Sequence, residues 1–207
     1  MAGSSGLVGT AVVARLQAEG FKVAGLDHTA GAGDLCIAVD LTHRRHTVDA
    51  GQRVTRELGP ASVLVTAPDL YDGAPFGEMS NERWQRLLHA HLGATTNACA
   101  AVVPSMVSAR RGTVVTLSSW LAFAGRPGDS YFAAATGSIL AFTKSFALEV
   151  APSGVRVNCV AVGPLDETAN AYERVKPSDV ADTVMFLVDD GDFFVGQVLT
   201  PASGAVV

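Results

Sequence analysis

The chain has 207 residues, 48% hydrophobic and 17% charged, which is enough to bury one substantial core and short for two. A formal net charge of -5, a pI near 5.4 and no clustered Lys/Arg run argue against nucleic acid or an anionic membrane surface as partner. Cys36, Cys99 and Cys159 lack paired spacing, lie in apolar segments and are expected as buried, reduced thiols of a cytoplasmic protein; no metal-ligand spacing occurs.

In chain order, the opening MAGSSGLVGTAVVARL lacks a basic leading region and carries Arg15 inside its apolar run, so no secretory signal is expected. Gly3, Gly6 and Gly9 stand directly ahead of a helical pattern (Val12, Val13, Leu16) that closes at Glu19-Gly20. Glycines there let the backbone turn tightly and bring N–H groups and the helix start against a pyrophosphate. Phe21 to Leu26 reads as a short apolar strand ending at Asp27, an aspartate that equally suits a turn cap. Cys36 to Val39 is the next strand, followed by Asp40-Leu41. His43 to His46 is a small basic knot expected in a solvated turn, and Thr47 to Leu58 an amphipathic helix stopped by Gly59-Pro60. Ser62 to Thr66 is a strand leading into Ala67-Pro68-Asp69.

Ser80 or Asn81 is placed to cap a helix carrying Trp84, Leu88, His91, Thr95, Ala98 and Val102 on one face. The uncharged run from Leu87 to Ala109 holds two His, an Asn, a Gly and a Pro, too polar for a lipid-facing span, and reads as a buried helix. His91 on its apolar face is either a satisfied core residue, the commoner case, or a base. Thr113 to Leu117 is a β-branched strand ending in Ser118-Ser119. A loop with Gly125, Pro127 and Gly128 leads from it into a helix from Phe132 to Val150. That helix is apolar on more than one side (Ala135, Ile139, Phe142 and Phe146; Ala133, Leu140 and Ala147), so it must be covered twice. Val155 to Val162 is a further strand, ended by Gly163-Pro164.

Alternating strands and helices predict an α/β fold, a single doubly wound, mostly parallel sheet over residues 1–207. The landmarks resemble the short-chain dehydrogenase/reductase (SDR) family over nearly the whole chain. Ser119, Pro127 and Gly128 fall on that family's Ser, Pro and Gly without a gap. The tyrosine of its YxxxK motif then falls on Phe132 and the lysine on Thr136, while Tyr131 stands one residue early with Ala135 four further on.

The resemblance implies a Rossmann-type sheet of strand order 3-2-1-4-5-6-7. Its first strand, central in that order, is missing ahead of the glycines. Unpaired buried backbone groups beside such a gap each cost about 1–3 kcal/mol. Either the start lies upstream, the sheet is rearranged, or another segment fills the gap. The spacing GxxGxxG of Gly3, Gly6 and Gly9 differs from the GxxxGxG of the family's classical members and is similar to its extended ones. By resemblance these glycines hold a dinucleotide, Asp27 accepts from the ribose hydroxyls and favours NAD, and Asp40-Leu41 contacts adenine. The family's Asn-Asn-Ala-Gly is replaced by Thr66-Ala67-Pro68-Asp69, a carboxylate and a proline expected to crowd that cofactor. His91 occupies the position of the family's catalytic asparagine, Val162 replaces a proline, and Pro177 to Ala181 matches a helix start. The substrate lid shrinks to Leu165 to Lys176. The long helix, and the end Ala205-Val206-Val207, are expected at a subunit interface.

Three functions follow. The first is a non-catalytic subunit in homo-oligomers or in hetero-oligomers with a related active SDR chain, since Phe132 and Thr136 carry no proton-transfer chemistry. The second is a non-redox enzyme, for elimination or isomerisation, using Ser119, His91 and a carboxylate such as Asp69 or Asp129. The third is an NAD-dependent oxidoreductase acting on a carbonyl or alcohol through Tyr131 and Ser119. Loss of acid–base help costs about 10²–10⁴ in rate.

Overall fold

The computed structural model describes residues 1–165 and 174–201. The glycine turn starts helix α1 (Leu7–Ala18), whose last turn bonds the Phe21 amide to Leu16 O; strand β1 therefore begins only at Ala24 and runs to Asp27. Strand β2 (Leu35–Ala38) follows, then α2 (Arg44–Leu58), which starts three residues before the expected Thr47. The basic knot is thus helix from Arg44 on, with His43 as its N-cap and the His43 and His46 rings stacked at 3.8 Å. Strand β3 (Val63–Thr66) leads to α3 (Asn81–Leu88), capped by Ser80 Oγ accepting from the Arg83 amide. A π-turn over His89–Gly93 joins α3 to α4 (Ala94–Ala109). Strand β4 (Gly112–Ser119), the short α5 (Leu121–Ala124), α6 (Ser130–Val150), β5 (Val155–Val162), α7 (Pro177–Asp189) and β6 (Val198–Leu199) complete the described chain.

All strand pairs are parallel, β1 with β2 on one side and β3-β4-β5-β6 on the other. The chain's first residues join the two sets. Ala2 bridges both Leu26 and Thr66; its amide donates to Val65 O (2.9 Å) and its carbonyl accepts from the Ala67 amide (2.8 Å). The Gly3 amide donates to Leu26 O and the Leu26 amide to Met1 O, both at 2.9 Å. The sheet is therefore not rearranged. Residues Met1 to Gly3 lie on the line of the central strand and span the end of the expected gap.

Parallel strands buried on both faces read as unbroken apolar runs. Val114, Val115, Val157 and Val160 in β4 and β5 have no measurable exposure. One face of the sheet carries α2, α4 and α6 and the other α1 and α7, so the apolar residues fall into two large clusters, one per face. Helix α6 seats Ala135, Ile139 and Ala147 on the sheet and turns Leu148, 75% exposed, outward, with the half-buried Phe142 and Phe146 rings stacked at 5.1 Å. Truncating Ile139, which is fully buried, to Ala is expected to cost about 2–5 kcal/mol, read by urea denaturation.

One cysteine expectation is corrected. Cys99 and Cys159 are buried and burial pushes their thiols up to about 12, whereas Cys36 is exposed, because alternation on the edge strand β2 turns it out while Ile37 turns in. Of the short lid, residues 166–173 lie outside the described residues, as do Ala205-Val206-Val207. Its two ends meet, the Val175 amide donating to Pro164 O at 2.8 Å.

Candidate active-site cleft

Strand C-terminal ends of a doubly wound sheet point their loops into one crevice. Here the loops after β1, β3, β4 and β5 line two adjoining cavities. One, of about 640 Å³, is bounded by Gly3, Ser5, Asp27, Asp40, Leu41 and Thr66. The other, of about 460 Å³, is bounded by Gly9, Tyr71, His91, Ser119, Phe132 and Thr136. Ala67, Pro68 and Asp69 border both, so Asp69 stands at the waist between them.

The three glycines do different work. Gly3 (φ +83°) lies so close to Ala67 that a Cβ there would run into its carbonyl, and a Cβ on Gly9 would run into the carbonyl of Gly3. Both serve close packing of the turn. Gly6 is the N-cap of α1, and a Cβ on it would meet the Asp69 carboxylate. Asp27 is held by the chain itself, Oδ2 accepting from the Ser5 amide (2.9 Å) and Oδ1 from the His28 amide (2.8 Å). Asp40 Oδ1 accepts from the Thr42 hydroxyl (2.6 Å) and amide (2.9 Å), and the hydroxyl bond above all lowers its carboxyl below the usual range. The buried Leu41 closes the floor beside it.

A dinucleotide laid across both cavities finds carboxylates at its adenosine end, where the resemblance asks for them. Its pyrophosphate does not fit, because Asp69 occupies the space over Gly6 at the helix start that would otherwise receive an anion. Asp69 is already electrostatically strained: desolvation first, then the charge of Asp27, raise its carboxyl above the ordinary value.

In the second cavity the hydroxyls are turned to structural use. Ser119 Oγ accepts from the Leu121 amide (3.2 Å), and Ser118 Oγ donates to Thr136 O (2.8 Å). Thr136 Oγ1 donates back along its own helix to Phe132 O (2.9 Å). The Phe132 ring forms the wall, edge-to-face with Tyr71 (5.1 Å) and His91 (5.4 Å). Tyr131 points elsewhere, between Phe76 (5.4 Å) and Trp84 (5.5 Å), and does not line the cleft.

His91, set into the wall by the π-turn, is 3% exposed. Its Nε2 lies 2.7 Å from Leu70 O and must donate to it, which leaves Nδ1 as a buried acceptor without a partner among the described residues. Burial pushes its pKa down, against the Leu70 bond. The unfolded imidazole therefore takes up a proton first as pH falls, so stability is expected to drop from about pH 6.5 down to the folded pKa. Thermal melts from pH 7.5 to 5 check this; His91→Gln should flatten that part of the slope.

Sequence reading passed over one cluster. The Tyr71 hydroxyl donates to Asp129 Oδ1 (2.7 Å), Arg126 pairs with the other oxygen of Asp129, and Arg126 Nη2 donates to the Tyr71 oxygen (3.2 Å). Asp129, only 2% exposed, was legible as a candidate carboxylate; the contact with Tyr71, 58 residues away, was not. The Asp129 bond, then desolvation, raise the Tyr71 phenol above its usual pKa, so it stays protonated. Among the described residues no group of His, Cys, Asp and Glu could hold a metal ion, and no helix is long and apolar enough to cross a membrane.

A parallel doubly wound sheet with a glycine turn opening α1 and a cleft at its strand ends defines a dinucleotide-fold protein of the dehydrogenase type. The family description short chain dehydrogenase matches residues 1–178, and the chain belongs to that family. It is 31% identical over 170 residues to the 3-oxoacyl-(acyl-carrier-protein) reductase FabG of Chlamydia trachomatis, covering 74% of this chain and 68% of the relative. The FabG of Thermotoga maritima is 29% identical over 186 residues (82% and 76%), and a cyclopentanol dehydrogenase of Comamonas testosteroni 27% over 177 (77% and 71%).

Proposed function

We propose that this chain is a family member that does not itself turn over substrate, and that it works as a cytoplasmic partner subunit of a related, active oxidoreductase. The observation that carries the proposal is the cleft wall. Phe132 lines the same cavity as Ser119 with no proton to give, and the Thr136 hydroxyl is spent on its own helix. The named activities of the relatives, reduction of 3-oxoacyl groups and oxidation of an alcohol, indicate the class of reaction the active partner performs. Leu148, exposed on the outward face of α6, is the apolar side chain that helix offers for assembly, with a second copy or with the related chain, while the half-buried Phe142 and Phe146 flank the core. NAD is the cofactor class the cleft descends from, and the charge on Asp69 holds it off.

The non-redox reading is less well supported. His91 Nδ1 is buried, so a ligand reaches that nitrogen only after the surrounding wall moves. Purification at native expression level tests the proposal. The expected result is an oligomer in which a second chain bearing Tyr-x-x-x-Lys comes along, or a homo-oligomer without turnover. A lone monomer would contradict it.

A further inference from the structure

The first of the two cleft cavities, of about 640 Å³, keeps the groups that recognise a nucleoside although its phosphate end is closed. Its volume falls within the roughly 300–1,000 Å³ of ordinary small-molecule sites, a size for one nucleoside without recourse to the second cavity. Three features say which nucleoside. Asp27, at the end of β1, stands where this fold holds a ribose through its hydroxyls. Each of its oxygens accepts one backbone amide, from Ser5 and from His28, and a carboxylate oxygen has a second lone pair left for a diol. Asp40 spends Oδ1 on Thr42, so its Oδ2, without a hydrogen bond among the described residues, can accept from an exocyclic amine beside the apolar floor of Leu41. Adenine offers such an amine on a flat ring.

The third feature is charge. A ribose held by Asp27 turns its C5′ toward the start of α1. Over that start sits Asp69, whose carboxylate has no hydrogen bond or ion pair among the described residues. Arg86, which among the described residues is the only arginine or lysine bordering the cavity, is paired with Asp72 at 3.3 Å. An anion on C5′ therefore meets the charges of Asp27 and Asp69, whereas a cation there relieves their repulsion. Among the described residues no group of His, Cys, Asp and Glu could hold a metal ion, so the positive charge has to arrive on the nucleoside.

We infer that this cavity binds an adenine nucleoside carrying a positive charge at C5′, an ammonium or sulfonium group, in place of a nucleotide. Asp27 accepts from the 2′ and 3′ hydroxyls, Asp40 from the adenine amine, and Asp69 pairs with the cation. One side chain thus excludes the phosphorylated ligand and selects its replacement. This ligand rests on the reading that Asp69 keeps a pyrophosphate off α1, and stands whether or not the chain turns over substrate.

The test is calorimetric titration of the whole chain at pH 7 with three probes of similar size: 5′-amino-5′-deoxyadenosine, protonated at that pH, adenosine, and AMP. The expected order of affinity is amine, adenosine, AMP, with about tenfold between neighbours, as one unit of charge at partly solvated separations gives. Asp69→Asn should remove the advantage of the amine over adenosine and tighten AMP about tenfold. Asp27→Asn should weaken adenosine itself, by about tenfold, through the lost diol acceptor. AMP binding wild type as tightly as the amine, or no saturable binding of any probe, would overturn the cationic ligand. So would an order that survives Asp69→Asn unchanged. If Asp69→Asn tightens AMP while the amine gains nothing over adenosine in wild type, the cationic ligand is overturned and Asp69 remains the barrier to pyrophosphate. If that substitution leaves AMP unchanged, both fall together.

Discussion

Installing Phe132→Tyr and Thr136→Lys together, in an Asp69→Asn background, should raise NADH-dependent reduction of a short 3-oxoacyl thioester by about 10²- to 10⁴-fold over the Asp69→Asn chain alone. The ring at 132 already lines the cavity that Ser119 lines. A para hydroxyl on that ring is expected to reach this cavity of about 460 Å³. Position 136 lies one helical turn on and borders the same cavity, so a lysine there brings an ammonium to the phenol and lowers its pKa toward neutrality. Phe132→Tyr alone should fall short, since nothing then tunes the hydroxyl. Tyr131→Phe should change nothing, because that side chain is spent between Phe76 and Trp84.

The second large effect is on binding. Asp69→Asn alone should tighten NADH by about 10- to 100-fold in a fluorescence titration. Two unit charges 4 Å apart repel by about 1 kcal/mol in water and about 4 kcal/mol at an effective dielectric of 20, and an open cleft lies between these limits. The sign with pH follows from the raised carboxyl of Asp69. As pH falls toward that raised pKa the carboxyl takes up a proton and the repulsion fades, so wild-type affinity should rise on acidification. The asparagine variant should lack that rise. A wild-type affinity equal to that of the variant at neutral pH would remove Asp69 from the account.

Most of the architecture was legible because its signals are local. The β-branched run into Ser118-Ser119, the Ser80 cap and the Pro177 helix start each dictate an element from a few neighbouring residues, and each appears where expected. Boundaries slipped where a helix end competed with a strand or a turn. Phe21 to Val23 went to closing α1 and reaching the sheet, and Arg44 to His46 to opening α2. The bridging of β1 and β3 by Ala2 was not legible, since two residues carry no periodicity and their pairing is made across 24 and 64 positions of chain. The Cys36 error has the same origin as every edge-strand error: an apolar neighbourhood in sequence does not say which face of an edge strand is covered.

In the cleft the sequence named the residue types but not their directions. Ser119, Phe132, Thr136 and His91 do border one cavity, as the alignment of motifs implied. That the hydroxyl of Thr136 bonds its own helix and that His91 keeps a lone acceptor inside the wall are facts of rotamer and packing. The Tyr71–Asp129–Arg126 cluster joins two loops that no spacing rule connects.

The most direct measurement is the rate of NADH and NADPH oxidation by the purified wild-type chain with a 3-oxoacyl thioester, across pH 6 to 9. A rate indistinguishable from the protein-free background is what the wall formed by Phe132 and Thr136 requires. Saturable turnover that disappears in Tyr71→Phe or Tyr131→Phe would show that another phenol supplies the proton, and the account of a silent cleft would fail.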